Sequence, residues 1–267
     1  MKYSLVQSHD FSESTALVMG ASRGIGLATA QVLAAYGAHV VLCARTEDAV
    51  IEAADTINAS GGSAEAYACN VTDYGAVKAL IDDVVSRRGS LDLLVNNAGV
   101  IEPLAHLANS DPEQWSLAID VNIKGVYHAM HAALPHMIEM KNGTIVNLSS
   151  GAANSSLVGW SHYCATKAAA KKLTEVAHKE VSDHGVRIVG LSPGTVATDM
   201  MRKIRDARIN VVSSLDWSQH IPPEWVGEGV AFLFSSGGDA YLGSDFSIKT
   251  REGRAAVGLP QEGALDA

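Results

Sequence analysis

Short apolar runs and longer amphipathic stretches alternate along this chain. An apolar run of roughly four to eight residues bounded by turn residues reads as a buried strand; apolar positions three and four apart read as a helix packed on it. Thr15–Met19 is such a strand, followed at once by the turn Gly20–Gly26 and an amphipathic stretch to Tyr36. Ala38–Cys43 gives a second strand, and Thr46 is placed to cap a helix from Glu47 toward Ser60. Ser63–Cys69, Asp73–Arg88 and Leu91–Val95 continue as strand, helix and strand.

Asp111-Pro112-Glu113 opens one long helical stretch through Met140, with Asp111 as cap and Pro112 in the first turn. Gly143–Ser150 is a buried strand emptying into a small-residue loop, and the alanine-rich run Ala165–Ala170 is helical. Gly185 stops that helix, Gly185–Leu191 is the sixth strand, and Pro193-Gly194 breaks the chain. Residues 195–221 lose the pattern, Pro222-Pro223 starts a last helix to Phe234, and Phe246–Lys249 is a seventh strand. Strands alternating with helices predict an α/β fold around a parallel sheet.

Composition narrows the class. With 267 residues, 47 % hydrophobic and 18 % charged, the chain suits one large domain rather than a disordered or coiled-coil protein. A net charge of −9 and no basic stripe argue against nucleic-acid binding. Three dispersed cysteines, Cys43, Cys69 and Cys164, point to neither a disulfide framework nor a zinc site, which fits a reducing compartment. The first fourteen residues lack a signal-type apolar core and no run reaches membrane-spanning length, so a cytoplasmic protein without membrane contact is expected.

The chemistry concentrates at Tyr163-Cys-Ala-Thr-Lys167. Helical spacing puts Tyr163 and Lys167 on one face. A phenol ordinarily titrates at about 10, and a neighbouring ammonium favours its ionised form, so the pair is a candidate general acid/base. Such spacing also occurs on ordinary surface helices. Ser150, thirteen residues upstream at a strand end, is placed to face the tyrosine.

The strand–glycine turn–helix at Gly20, Gly24 and Gly26 is a candidate cradle for a pyrophosphate at a helix N-terminus. No carboxylate closes the second strand; Ala44 and Arg45 follow Cys43, and Arg23 lies inside the turn. A carboxylate there would take ribose hydroxyls, whereas guanidinium groups pair with a 2′-phosphate, so the residues favour NADP(H). Asn96-Asn97-Ala98-Gly99 ends the fourth strand, on the ligand side of an open parallel sheet, although a plain turn reads the same way. His128, His131 and His136 share a helical region but lack a completing carboxylate or cysteine, so no metal site is expected.

In chain order, Gly20-x-x-x-Gly24-x-Gly26, Asn96-Asn97-Ala98-Gly99, Asn122, Ser150, Tyr163-x-x-x-Lys167 and Pro193-Gly194 with Thr198 resemble the short-chain dehydrogenase/reductase family over roughly residues 13–250. The resemblance implies a single Rossmann-type, doubly wound domain over residues 1–267, with a seven-stranded parallel sheet, helices on both faces, and a homotetramer or homodimer. Cofactor motifs fall mainly in 13–100 and the catalytic and substrate part in 101–250.

It also implies roles. Tyr163 exchanges the proton at the substrate oxygen, Ser150 positions that oxygen, Lys167 lowers the tyrosine pKa and binds ribose, and Asn122 holds a relay water. The dinucleotide contacts would come from Gly20, Ser22, Arg23, Gly24, Ile25 and Gly26, from Arg45, from Asn70 and Val71, and from Asn97, Ala98 and Gly99. Tyr163, Lys167, Pro193 and Gly194 would also contact the cofactor, and Val196 and Thr198 would hold the nicotinamide carboxamide. Met19 and Asn70 depart from the threonine and aspartate common at those positions. Phe246–Arg254 departs from the usual closing strand and double glycine, leaving residues 251–267 an atypical tail.

The implied activity is NADP(H)-dependent hydride transfer between nicotinamide and a small or medium hydrophobic ketone or its alcohol. Met200, Met201 and Trp217, with Trp160 and His162, are candidates for an apolar pocket under a mobile segment, or for ordinary packing. The basic residues Arg202, Lys203, Arg205 and Arg208 leave open a 3-oxoacyl carrier-protein reductase. A nucleotide-binding protein without turnover is the alternative of another class.

Overall fold

The computed structural model describes residues 7–261; the ends of the expected 1–267 domain and of the expected 251–267 tail lie outside them. β1 (Thr15–Met19), α1 (Gly24–Ala35), β2 (His39–Ala44), α2 (Glu47–Ala59), β3 (Ser63–Ala68), α3 (Tyr74–Arg88) and β4 (Leu93–Asn96) form the first half. α4 (Pro112–Ile119), α5 (Gly125–Met140), β5 (Gly143–Leu148), α6 (Ser161–Val181), β6 (Val186–Ser192), α7 (Asp199–Ala207), α8 (Pro223–Phe234), β7 (Asp245–Ser247) and α9 (Arg251–Val257) follow.

All strands pair in parallel in the order β3-β2-β1-β4-β5-β6-β7. The chain winds outward from β1 to β3 and then returns to β4 beside β1. That reversal opens a crevice at the carboxyl ends of β1 and β4, where sheets of this kind bind ligands.

Strand alternation splits the apolar residues between two faces. Ala16 and Val18 of β1 join Val40, Val95, Val146 and Val189 beneath Val32 and Leu33 of α1 and Val226 and Val230 of α8. Leu17 and Met19 turn to the other face, with Val41, Leu94, Ile145 and Ile188, against Val77 and Ile81 of α3 and Ala129 and Met137 of α5. Each fully buried Leu or Ile contributes about 1.5–3 kcal/mol relative to exposure.

Three expectations change in detail. The helical stretch from Pro112 to Met140 is interrupted by a π-turn over Asp120–Lys124. Thr46 occupies the cap position of α2 but makes no side-chain capping bond, whereas the Asp111 side chain accepts from the Gln114 amide at 2.8 Å. β7 starts one residue earlier than Phe246 and ends at Ser247, where the Ser247 and Thr250 hydroxyls bond the local backbone and turn the chain into α9. That helix is an integral part of the fold: Arg254 is 1 % exposed, its Nε donates to Ile248 O at 3.0 Å, and its guanidinium lies 5.2 Å from the Trp225 ring.

Candidate active site

α6 buries Tyr163, Thr166, Lys167, Ala170, Thr174, Ala177 and Val181, a single stripe at three- and four-residue spacing. The upper end of this stripe is polar because it faces the carboxyl end of β5. There Lys167 Nζ donates to Leu148 O at 2.7 Å and stands 5.6 Å from the centre of the Tyr163 ring. Ser150, just beyond β5, hydrogen-bonds the Tyr163 phenol and also accepts from the Ala152 amide at 3.2 Å. The fold therefore gathers Ser150, Tyr163 and Lys167 around one point.

Enclosure acts on both titratable groups. Burial pushes the Tyr163 phenol up to about 12, although the Ser150 hydrogen bond favours the phenolate. Burial also pulls Lys167 down to about 8, opposed by the charge of Asp245. Both shifts are dominated by enclosure of the two groups. These directions favour a neutral phenol beside an ammonium at neutral pH, a pairing chemically able to donate a proton.

Asn122 sits in the π-turn and is 1 % exposed. Its Oδ1 accepts from Val100 N at 2.9 Å, and its Nδ2 donates to Val100 O at 2.9 Å and to Thr166 Oγ1 at 3.2 Å. Both amide protons are thus used within the fold, and Oδ1 takes one backbone amide.

The glycine turn fits a closely approaching dinucleotide. Gly20 and Gly24 have φ of +78° and +57°, in the region that favours glycine. A Cβ on Gly26 would lie 2.2 Å from Gly20 O and 2.5 Å from Asn97 Nδ2. Asn97 braces this turn, donating to Gly20 O at 2.9 Å and Met19 O at 3.2 Å, and Ala98 lies against Gly20. Ser22, Arg23 and Ile25 line the turn into α1, with Arg23 at its N-cap, while the exposed Arg45 follows β2.

Asn70 is exposed and its Oδ1 accepts from Thr72 N; Val71 is buried against Gly125. Beyond β6, Pro193 is buried, Gly194 has φ of +78°, and Val196 bridges Ile221. Thr198 comes within van der Waals reach of a Cβ placed on Gly24, and Arg23 approaches Asp199 at 4.0 Å. The glycine turn and the loop after β6 therefore meet, beside a cleft of about 280 Å³ that includes Gly24, Gln31, Thr198 and Pro223.

Trp160, Tyr163, Met201 and Ile204 form a third apolar cluster with Ile101 and Ala152, and Met200 and Trp217 pack against it. This joins the expected pocket residues to the phenol. His162 turns elsewhere, its Nε2 bonding Ile101 O at 2.8 Å. Arg202 and Arg205 stack on Trp217 at 4.9 and 5.2 Å, and Lys203 pairs with Glu102, so much of the basic cluster is engaged within the chain. The three histidines of α5 are separately engaged, by Val71 O, Tyr74 and Asp82.

Sequence reasoning missed a buried polar ladder under the site. Asn96 Nδ2 donates to Asn147 Oδ1 at 2.8 Å, and Asn147 Nδ2 to Thr174 Oγ1 at 2.8 Å. The signal was present: an asparagine within the apolar run Thr144–Leu148 needs a buried partner.

The family model for short chain dehydrogenases matches residues 14–209. A 3-oxoacyl-(acyl-carrier-protein) reductase of Thermotoga maritima is 33 % identical over 82 % of this chain and 89 % of its own length. A cyclohexanol dehydrogenase of an Acinetobacter species is 32 % identical over 91 % and 96 %. Among solved structures, an NAD+-bound xylitol dehydrogenase has a TM-score of 0.83 at 27 % identity, covering 89 % of this chain and 98 % of that one. A metagenomic short-chain oxidoreductase in complex with NADP has a TM-score of 0.74 at 32 % identity, covering 88 % and 96 %.

Proposed function

The chain belongs to the short-chain dehydrogenase/reductase family, and from that premise we propose that it is an NADP(H)-dependent carbonyl reductase, or the alcohol dehydrogenase of the reverse reaction. Its substrate is a small or medium hydrophobic ketone or the matching secondary alcohol. The observation that carries this reading is the buried Tyr163 phenol held between Ser150, Lys167 and the apolar cluster of Trp160, Met201 and Ile204. When bound, the nicotinamide supplies the hydride to the carbonyl carbon or accepts it back. Ser150 and Tyr163 meet the charge that grows on the carbonyl oxygen, and the Tyr163 proton completes the alcohol.

Arg23 and Arg45, with no carboxylate at the end of β2, support the phosphorylated cofactor. The xylitol dehydrogenase neighbour holds NAD+ and the metagenomic one NADP, so the choice rests on these arginines. A 3-oxoacyl carrier-protein reductase is the second reading, favoured by the Thermotoga relative. We also take the whole chain as one domain that works in the cytoplasm as a homotetramer or homodimer. The exposed Leu117, Tyr127 and Val176 support self-association, and no helix among the described residues is long and apolar enough to cross a membrane.

Initial rates of NADPH and NADH oxidation against ketones, aldehydes, ketoesters and an acyl-thioester mimic test the proposal. Turnover of simple ketones with NADPH is expected. Preference for the thioester would promote the second reading, and tight NADPH binding without turnover in either direction would favour a binding-only protein.

A further inference from the structure

An acidic residue is a poor choice for the first position of a strand that lies over a helix, because burial disfavours its charge. Asp245 nevertheless opens β7, opposite Gly190 of β6. Its Oδ2 accepts from Ser149 Oγ at 3.0 Å, while Oδ1 is buried without a hydrogen-bond partner. Gly190 gives it room: a Cβ there would stand 2.5 Å from that orphaned oxygen. Two features of the sequence, a side chain surrendered in β6 and a carboxylate accepted in β7, thus serve one buried group.

The charged groups that act on Asp245 come from α6: Lys167, Lys171 and Glu175. The residue after β5 is the neutral Ser149, and β6 contributes Gly190. Burial raises the carboxyl of Asp245, and Ser149, Lys171 and Lys167 each favour its ionised form. The end of β5 ties this group to the proton donor through three consecutive residues. Leu148 O holds Lys167 Nζ, Ser149 bonds Asp245, and Ser150 bonds Tyr163.

We propose that Asp245 is a positioning residue for Lys167: fixed by Ser149 and given space by Gly190, its carboxylate keeps the lysine an ammonium at the pH of turnover. The proposal rests on the reading of Tyr163 and Lys167 as the working pair. Asp245 does not touch substrate or cofactor in this scheme; it acts only through Lys167.

Asp245→Asn preserves the size of the side chain and an acceptor for Ser149 while removing the charge. In NADPH-dependent ketone reduction the alkaline limb of kcat is expected to move down by about one pH unit. Below that limb kcat should stay within about twofold of wild type, with KM for the ketone unchanged, because the lysine is then charged in both proteins. A pH profile that superposes on wild type, whatever happens to thermal stability, would overturn the proposal.

Should Asp245→Asn fail to fold, Ser149→Ala provides the second test: loss of the bond that favours the carboxylate should shift the limb in the same direction by a smaller amount. An unmoved limb in Ser149→Ala would then count against the role of Asp245. Failure of the underlying catalytic reading is distinguishable, since it would appear as turnover surviving in Lys167→Met irrespective of Asp245.

Discussion

Asn122 pairs with Val100 through its side chain as one strand pairs with another, accepting from Val100 N and donating to Val100 O, both at 2.9 Å. The π-turn that breaks the α4–α5 stretch is where this amide enters the loop after β4 and reaches Thr166, whose hydroxyl donates to Tyr163 O. One residue therefore joins the β4 loop to α6.

Asn122→Ala is expected to leave the Val100 backbone groups unpaired in a buried site and to lower unfolding stability by about 2 kcal/mol. Turnover should fall with it as the β4 loop loosens. Chemical denaturation with kcat on the same preparation checks both, and unchanged stability would refute the bracing role.

The glycine turn sets a steric prediction. Gly26→Ala places a methyl where Gly20 O and Asn97 Nδ2 already stand, at 2.2 and 2.5 Å, and the nearest obstacle is backbone. NADPH binding by fluorescence titration should weaken more than about tenfold. Wild-type affinity would mean that the turn relaxes without consequence.

In the proposed function, coenzyme choice rests on the exposed Arg45 following β2 and on Arg23 at the N-cap of α1. Arg45→Asp is expected to weaken NADPH binding by about 10- to 100-fold, equivalent to about 1.4–2.7 kcal/mol, with a much smaller effect on NADH. Calorimetric titration of both coenzymes checks this. Equal losses would remove Arg45 from phosphate recognition.

Lys167 provides a test in stability as well as rate. Its folded pKa, about 8, lies below the 10.5 of the unperturbed lysine, so the unfolded chain binds more protons between those values. The penalty for burying the ammonium is fully present below about 8 and is relieved as pH rises toward 10.5. Any stability advantage of Lys167→Met over wild type should therefore shrink as pH is raised from about 7 to about 10. A gap independent of pH would show that the lysine is not held charged at a cost.

The alternation of strands and helices was legible because both sheet faces are covered, and each central strand reads as an unbroken apolar run such as Thr15–Met19. The positions that the fold gathers at the candidate site were legible for a different reason: Gly20, Gly24 and Gly26 answer to backbone geometry, and Tyr163 with Lys167 to helical spacing. The π-turn at Asn122 was hidden because one extra residue in a helical turn leaves the flanking apolar pattern intact.

Burial hid the direction of both pKa shifts. Local sequence places an ammonium near a phenol but does not reveal that both are enclosed, and enclosure raises one pKa while lowering the other. The pairing of Asp245 with Ser149 spans 96 residues, and only the placement of β7 beside β6 brings it about.

The most direct measurement is kcat for NADPH-dependent ketone reduction by Tyr163→Phe beside wild type, with NADPH affinity determined on the same protein. Removing one buried hydroxyl is predicted to lower kcat by about 10²- to 10⁴-fold while leaving NADPH affinity within about twofold. Turnover equal to wild type would contradict Tyr163 as the proton donor, and with it the account of this site.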